Sequence, residues 1–226
     1  VRRQRQMCIR DRNNAWTNND ITNYYLTVPR QNVETGFWLE SDRMLSLDFS
    51  ERSLEVQRGV VMEEFKQRCL NQPYGDIGHL LRPLAYQTHP YQWPTIGKEL
   101  SHIANATLEE VKAFFFRFYA PNNAILAVTG NISFEEAVAL TEKWFGSIPR
   151  REVPQRNLPQ EQEQTEERRL TVERNVPLDS LFMAYHMPAH CHPDYYAFDI
   201  LSDVLSNGRS SRLNQRLVQQ LSLIHI

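Results

Sequence analysis

Gln57-Arg58-Gly59-Val60-Val61-Met62-Glu63-Glu64-Phe65-Lys66-Gln67-Arg68 lies inside a proline-free run, residues 51–69, that reads as one long helix. At about 100° per residue, Leu54, Val61, Phe65 and Cys69 fall on one face. Glu64 follows Val60 by four residues and Val61 by three, which puts it on the edge of that face. Glu63 points further round, towards solvent. An acid on the margin of an apolar stripe costs free energy unless a cation or a metal meets it. The residues alone leave both readings open, a salt-bridged helix carboxylate and a metal ligand.

Residues 57–64, followed by Asn71-Gln72-Pro73-Tyr74-Gly75, resemble the helix that gives the third zinc ligand in the pitrilysin/insulinase family (peptidase M16), the inverted H-x-x-E-H zinc peptidases. The resemblance is to the small, two-domain bacterial type. It implies Zn2+ as cofactor, with Glu64 as a metal ligand. In the family two His and a general-base Glu come from an earlier helix, so no catalytic residue is expected within this chain. Gln57 stands where many members carry a second acid. The family spacing places the H-x-x-E-H helix before Val1, and one carboxylate does not replace three protein ligands. The chain as written is therefore expected to hold catalytic zinc poorly and to be inactive alone.

At 226 residues the chain is one large domain or two small ones, and its 41% apolar content is ordinary for a globular protein. No apolar run approaches the roughly 20 residues of a membrane span, so no membrane partner is expected. Cys8, Cys69 and Cys191 are scattered, with no disulfide framework and no C-x-x-C pair. That is compatible with a reducing compartment and leans towards the cytoplasm over the periplasm, the compartment being otherwise open. The two ends, residues 1–12 (VRRQRQMCIRDR) and 221–226 (LSLIHI), resemble translated sequencing-adapter read-through. Because the first carries five Arg against one Asp, the remainder is more acidic than the formal net charge of −2. A basic arm for nucleic acid is the rival reading of residues 1–12. It has no interleaved aromatics and no second basic patch, so no nucleic-acid partner is expected.

Residues 13–20 are turn-rich, and 21–28 form a strand ended by Pro29. Asn14-Ala15-Trp16-Thr17 followed by Thr22-Asn23-Tyr24-Tyr25 also resembles the family's edge strand, where substrate peptides add as a further strand. The resemblance implies that Asn14, Ala15 and Trp16 bind substrate; the plain reading is a polar turn feeding a core strand. A helix over about 35–47 follows, and Ser50 can cap the helix carrying Glu64. Residues 77–85 make a short helix, and His89-Pro90-Tyr91-Gln92-Trp93-Pro94 an aromatic loop. Thr107-Leu108-Glu109-Glu110 is a capping box opening a helix to Tyr119. Residues 124–129 read as a buried strand, and Ser133 caps a helix to Phe145. That order, through Y-A-P-N-N, A-I-L-A-V-T-G-N and W-F-G, resembles the closing half of the family's first domain.

Residues 148–167, poor in apolar side chains, read as an exposed linker. Two strands, 168–176 and 181–187, and a helix over 193–206 resemble the opening of the family's second domain. The expected organisation is therefore 13–147 as a first domain lacking its N-terminal part, 148–167 as linker and 168–220 as the start of a homologous second domain. The fold class is α+β, a mixed sheet with helices mainly on one face. His190-Cys191-His192 places two candidate ligands on a loop, too few for structural zinc. The implied function is zinc-dependent hydrolysis of peptide bonds in extended peptides, by a homodimer or a paired subunit. The alternative is a non-catalytic structural or partner-binding subunit of the same fold.

Overall fold

The computed structural model describes residues 12–153 and 155–220. Residues 1–11 and 221–226, expected to derive from adapter sequence, lie outside them. The chain forms two compact units, Val1–Asp179 and Ser180–Ile226.

The first unit opens with an antiparallel hairpin, β1 (Arg12–Thr17) and β2 (Thr22–Thr27). Asn14 pairs with Tyr25, Ala15 with Tyr24 and Trp16 with Asn23. The turn closes through Asn18, whose Oδ1 accepts from the Asp20 and Ile21 amides at 2.8 and 2.9 Å. Such Asx geometry is why Asn and Asp crowd this stretch. The turn is thus confined to four residues, and residues 13–17, read from sequence as turn-rich, extend as a strand together with Arg12 of the adapter-like end. Alternation puts Tyr24 and Leu26 on the inner face of β2. Tyr24 Oη meets Tyr119 Oη at 2.6 Å.

Helix α1 (Val33–Leu45) packs on α6 (Phe134–Phe145), tied by Lys143 and the Trp144 indole to Glu34 and by Arg30 to Glu136. Gly36 matters here: a Cβ at this position would stand 3.3 Å from Leu26, so its absence lets α1 approach the hairpin. Arg43 of α1 lies over the Tyr24 ring. The helices thus cover the inner face of the hairpin, as the α+β reading requires.

Helix α2 (Glu51–Phe65) is capped by Ser50, which accepts from the Ser53 amide at 3.3 Å. It ends sooner than the sequence pattern indicates. Residues Lys66–Leu70 take a wider turn, with the Asn71 amide donating to Lys66 O at 2.8 Å. The extra residue keeps Cys69 buried after Phe65. The chain reverses at Gly75, where a Cβ would lie 2.4 Å from Arg68 O. Helix α3 (Ile77–Ala85), the short α4 (Leu100–Ala104) and α5 (Leu108–Phe118) follow. Thr107 and Glu110 complete the capping box of α5 in both directions. Phe115 is the best-buried aromatic of this helix, stacked on Tyr119 and edge-on to Phe49.

The hairpin is the only ladder among the described residues. Residues 124–129, expected as a buried strand, have no regular structure, and Ile125 is 98% exposed. The strands expected at 168–176 and 181–187 are likewise absent. A strand needs neighbours for its amides and its apolar faces. No described segment supplies them. The second unit holds α7 (Tyr195–Ser206), the Gly208 turn and a wide helical turn at Asn214–Gln220.

Candidate functional site

The two faces of α2 differ. Leu54, Val61, Met62 and Phe65 turn inward, as the periodicity requires, with the Phe65 ring edge-on to His79 at 5.3 Å. His79 is held by Gly97 O at 2.9 Å and is a packing residue. Glu64 lies at the margin of the inward face, on the side that lines an open groove with Val56, Gly59, Val60, Glu63 and Gln67. Its side chain is 39% exposed and takes Arg68 Nη2 at 2.8 Å. Glu63 pairs with Lys66 at 2.6 Å. Gln57, two turns before Glu64, shares its side of the helix and is exposed.

Sequence periodicity missed the outer apolar surface beside Glu64. Val56 and Val60 are 59% and 56% exposed, side by side at a spacing of four, with Gly59 leaving a flat strip between them. Two valines at i, i+4 on the face opposite the core were the available signal. The hydrophobic stripe through Val61 and Phe65 masked it.

Asn14, Ala15 and Trp16 sit in the middle of β1, all exposed. Asn14 and Trp16 share the outward face with Tyr25 and Asn23; Ala15 shares the inner face with Tyr24. One edge of β1 is taken by β2, and no described residue pairs with the other. Backbone donors and acceptors along a free edge are a template for another extended chain.

The aromatic loop carries a second feature that composition did not reveal. Three consecutive amides, of Gln87, Thr88 and His89, converge on the Glu161 carboxylate at 2.8, 3.0 and 2.9 Å. These backbone bonds pull the Glu161 carboxyl down to about 2. Residues 148–153 and 155–167 have no regular structure, yet this contact and the Arg156–Asp20 pair at 2.5 Å fasten the segment within the first unit. Burial and the Tyr24 hydroxyl push the Tyr119 phenol well above its ordinary value, so the Tyr24–Tyr119 link is a neutral one.

Residues 105–226 match the family described as the peptidase M16 inactive domain. The chain belongs to the M16 peptidase family. Among M16 relatives, it is 33% identical over 215 residues to the zinc protease PqqE of Helicobacter pylori, covering 93% of this chain and 48% of that protein. It is 26% identical over 213 residues to the uncharacterized zinc protease YmxG of Bacillus subtilis, covering 94% and 50%. The crystal structure of a protease from Helicobacter pylori superposes with a TM-score of 0.82 at 30% identity, over 97% of this chain and 53% of that one. The chain thus spans about half the length of the curated M16 relatives it matches.

These relatives are named zinc proteases, which associates Zn2+ with the M16 family. Zinc takes three or four N, S or O ligands. Among the described residues no three His, Cys, Asp or Glu side chains cluster. The groove offers carboxylates alone, each paired with a cation. His192 lies 3.7 Å from Asp194 in the second unit, and no third ligand joins them. The described residues do not by themselves make a zinc site.

Proposed function

We propose that this chain is the part of an M16 zinc peptidase that supplies one metal ligand, Glu64, and a substrate strand, β1. The observation that supports this best is the position of Glu64. It lies at the edge of the uncovered face of α2, in an open groove floored by Val56, Gly59 and Val60. The arrangement suits a further helix packing on the two valines and bringing histidine ligands to the carboxylate. Zinc, when bound there, supplies Lewis-acid activation of water and carbonyl. The residues of this chain do the rest: Glu64 completes the ligand set, and the Asn14-Ala15-Trp16 backbone holds an extended peptide by added-strand pairing. Asn14 and Trp16 then meet alternate side chains of that peptide on the outward face.

Two measurements test the reading. Zinc titration of the complete gene product should show one bound ion whose affinity falls at least about tenfold in Glu64→Gln, the scale of losing one ligand's support. Unchanged affinity would overturn the assignment. A fluorescent ten-residue extended peptide should bind the chain more tightly than its backbone N-methylated counterpart; equal binding rules out strand addition at β1.

The family description favours a second reading, because the model matched by residues 105–226 is that of an inactive domain. In that reading the chain is part of a non-catalytic subunit. The gene sequence preceding the Asn13 codon discriminates. A helix reading H-x-x-E-H supports the peptidase, and the same helix without histidines supports the structural subunit.

A further inference from the structure

The turn of the β1–β2 hairpin is held from outside by three segments, two of which meet on the Asp20 carboxylate. Asp20 Oδ2 accepts from the Tyr91 hydroxyl at 2.6 Å, and Asp20 Oδ1 accepts from Arg156 Nη2 at 2.5 Å. Arg82 Nη1 donates to Asn19 Oδ1 at 3.3 Å and to Tyr91 O at 3.2 Å, joining α3 to the same turn. Tyr91 is locked by ring contacts with Tyr86 and His89. Five residues after Arg156, Glu161 is seated on the three amides at 87–89, and Thr88 Oγ1 also reaches Gln160 O. Farther along, Arg168 donates to Leu84 O at 2.7 Å and Arg174 pairs with Asp76.

Arg156 therefore stands between two fixed points. On one side Asn122 and Tyr119 hold Arg151, by bonds of 2.9 to 3.1 Å. On the other Glu161 is clamped by backbone donors. An exposed ion pair between free side chains adds little order. Here the chain is fastened at Arg151 and at Glu161, so the segment that brings the Arg156 guanidinium to Asp20 is tethered.

We propose that residues 155–168 form a strap that holds the hairpin at its turn, with Arg156 a positioning residue that acts on β1 through Asp20. The consequence for substrate rests on β1 being the substrate strand; the mechanical link does not. A strap that slackens lets the turn pivot and frays the strand ends at Trp16 and Thr17, where a peptide must align.

Hydrogen exchange on the 226-residue chain tests the link. In Arg156→Ala the amides of residues 16–21 should exchange about three- to fivefold faster, the scale of one exposed ion pair, with α6 unchanged. Arg156→Lys should restore most of the protection by keeping the charge. Asp20→Asn should reproduce the effect, and adding Arg156→Ala to it should change nothing further. Glu161→Gln should loosen 87–89 and the hairpin turn together. Unchanged exchange at 16–21 in Arg156→Ala overturns the proposal; so does additivity with Asp20→Asn, or loss of protection spread equally into α6. Peptide affinity is read alongside and should weaken by a similar factor in Arg156→Ala. If the parent chain binds no extended peptide, the substrate role of β1 fails, while the exchange results still decide the strap.

Discussion

Glu64 and Glu161 are both partly exposed glutamates, and local chemistry gives them opposite parts. Glu64 meets one exposed arginine a helical turn away, a pairing worth about 0.3–0.5 kcal/mol. Glu64→Gln should therefore leave the melting temperature within about 2 °C of the parent, even where it abolishes a metal-dependent function. Glu161 meets three fixed backbone donors, which favour its charged form. Its folded value is depressed, so the stability it contributes is fully present above the ordinary glutamate value of 4.5 and is lost as pH falls towards about 2. Acid titrations of the parent and Glu161→Gln should differ at neutral pH and converge near the lower value. A difference that persists unchanged at the acid end would show that the carboxylate charge is not what the amides hold.

At the scale of elements, α5 is the clearest case of agreement between code and structure. Its capping box was legible because two side chains at fixed spacing satisfy two otherwise orphaned amides. Thr107→Ala should cost about 1 kcal/mol, read as a lowered denaturation midpoint. The run Phe114-Phe115-Phe116 is less legible, because all three are equally apolar. Only the packing shows that Phe115 is 2% exposed while Phe114 and Phe116 face outward. Phe115→Ala should destabilise by about 3–5 kcal/mol, and Phe114→Ala by a small fraction of that. Residues 124–129 carry the opposite lesson. Their composition reads as a buried strand, yet in the 226-residue chain Ile125 lies open. Ile125→Ser should shift the stability of this chain by less than about 0.5 kcal/mol, where a core strand would lose several times more. Thermal unfolding of Ile125→Ser beside the parent checks it.

For the whole molecule, the uncovered surfaces are the physical theme. Val56 and Val60 beside Glu64, the free edge of β1 and residues 124–129 all lack covering among the described residues. Apolar strips and unpaired edges of this kind are where the further helix and the added peptide strand proposed above would sit. We propose that the intact protein pairs with a second copy; light scattering that gives a monomer mass would reject that. No described helix is long and apolar enough to cross a membrane.

Periodicity, caps and turn residues determined five of the helices between Val33 and Phe145, though not the short α4 or the early end of α2, the hairpin strand from Thr22 to Thr27, and the placing of Glu64 at the margin of the apolar face of α2. These are local properties, set within a few residues by backbone sterics and by side chains that satisfy nearby amides. The motif resemblance likewise placed the chain in its family, because motif residues keep their order along the sequence. Only the tertiary structure decided which strands find partners, that the segment after residue 148 is fastened at Asp20 and at the 87–89 amides, and that α2 has an open apolar face beside its acid. Each of these depends on groups some 70 or more residues apart in the chain, or on what is absent from a surface, and no local pattern encodes either.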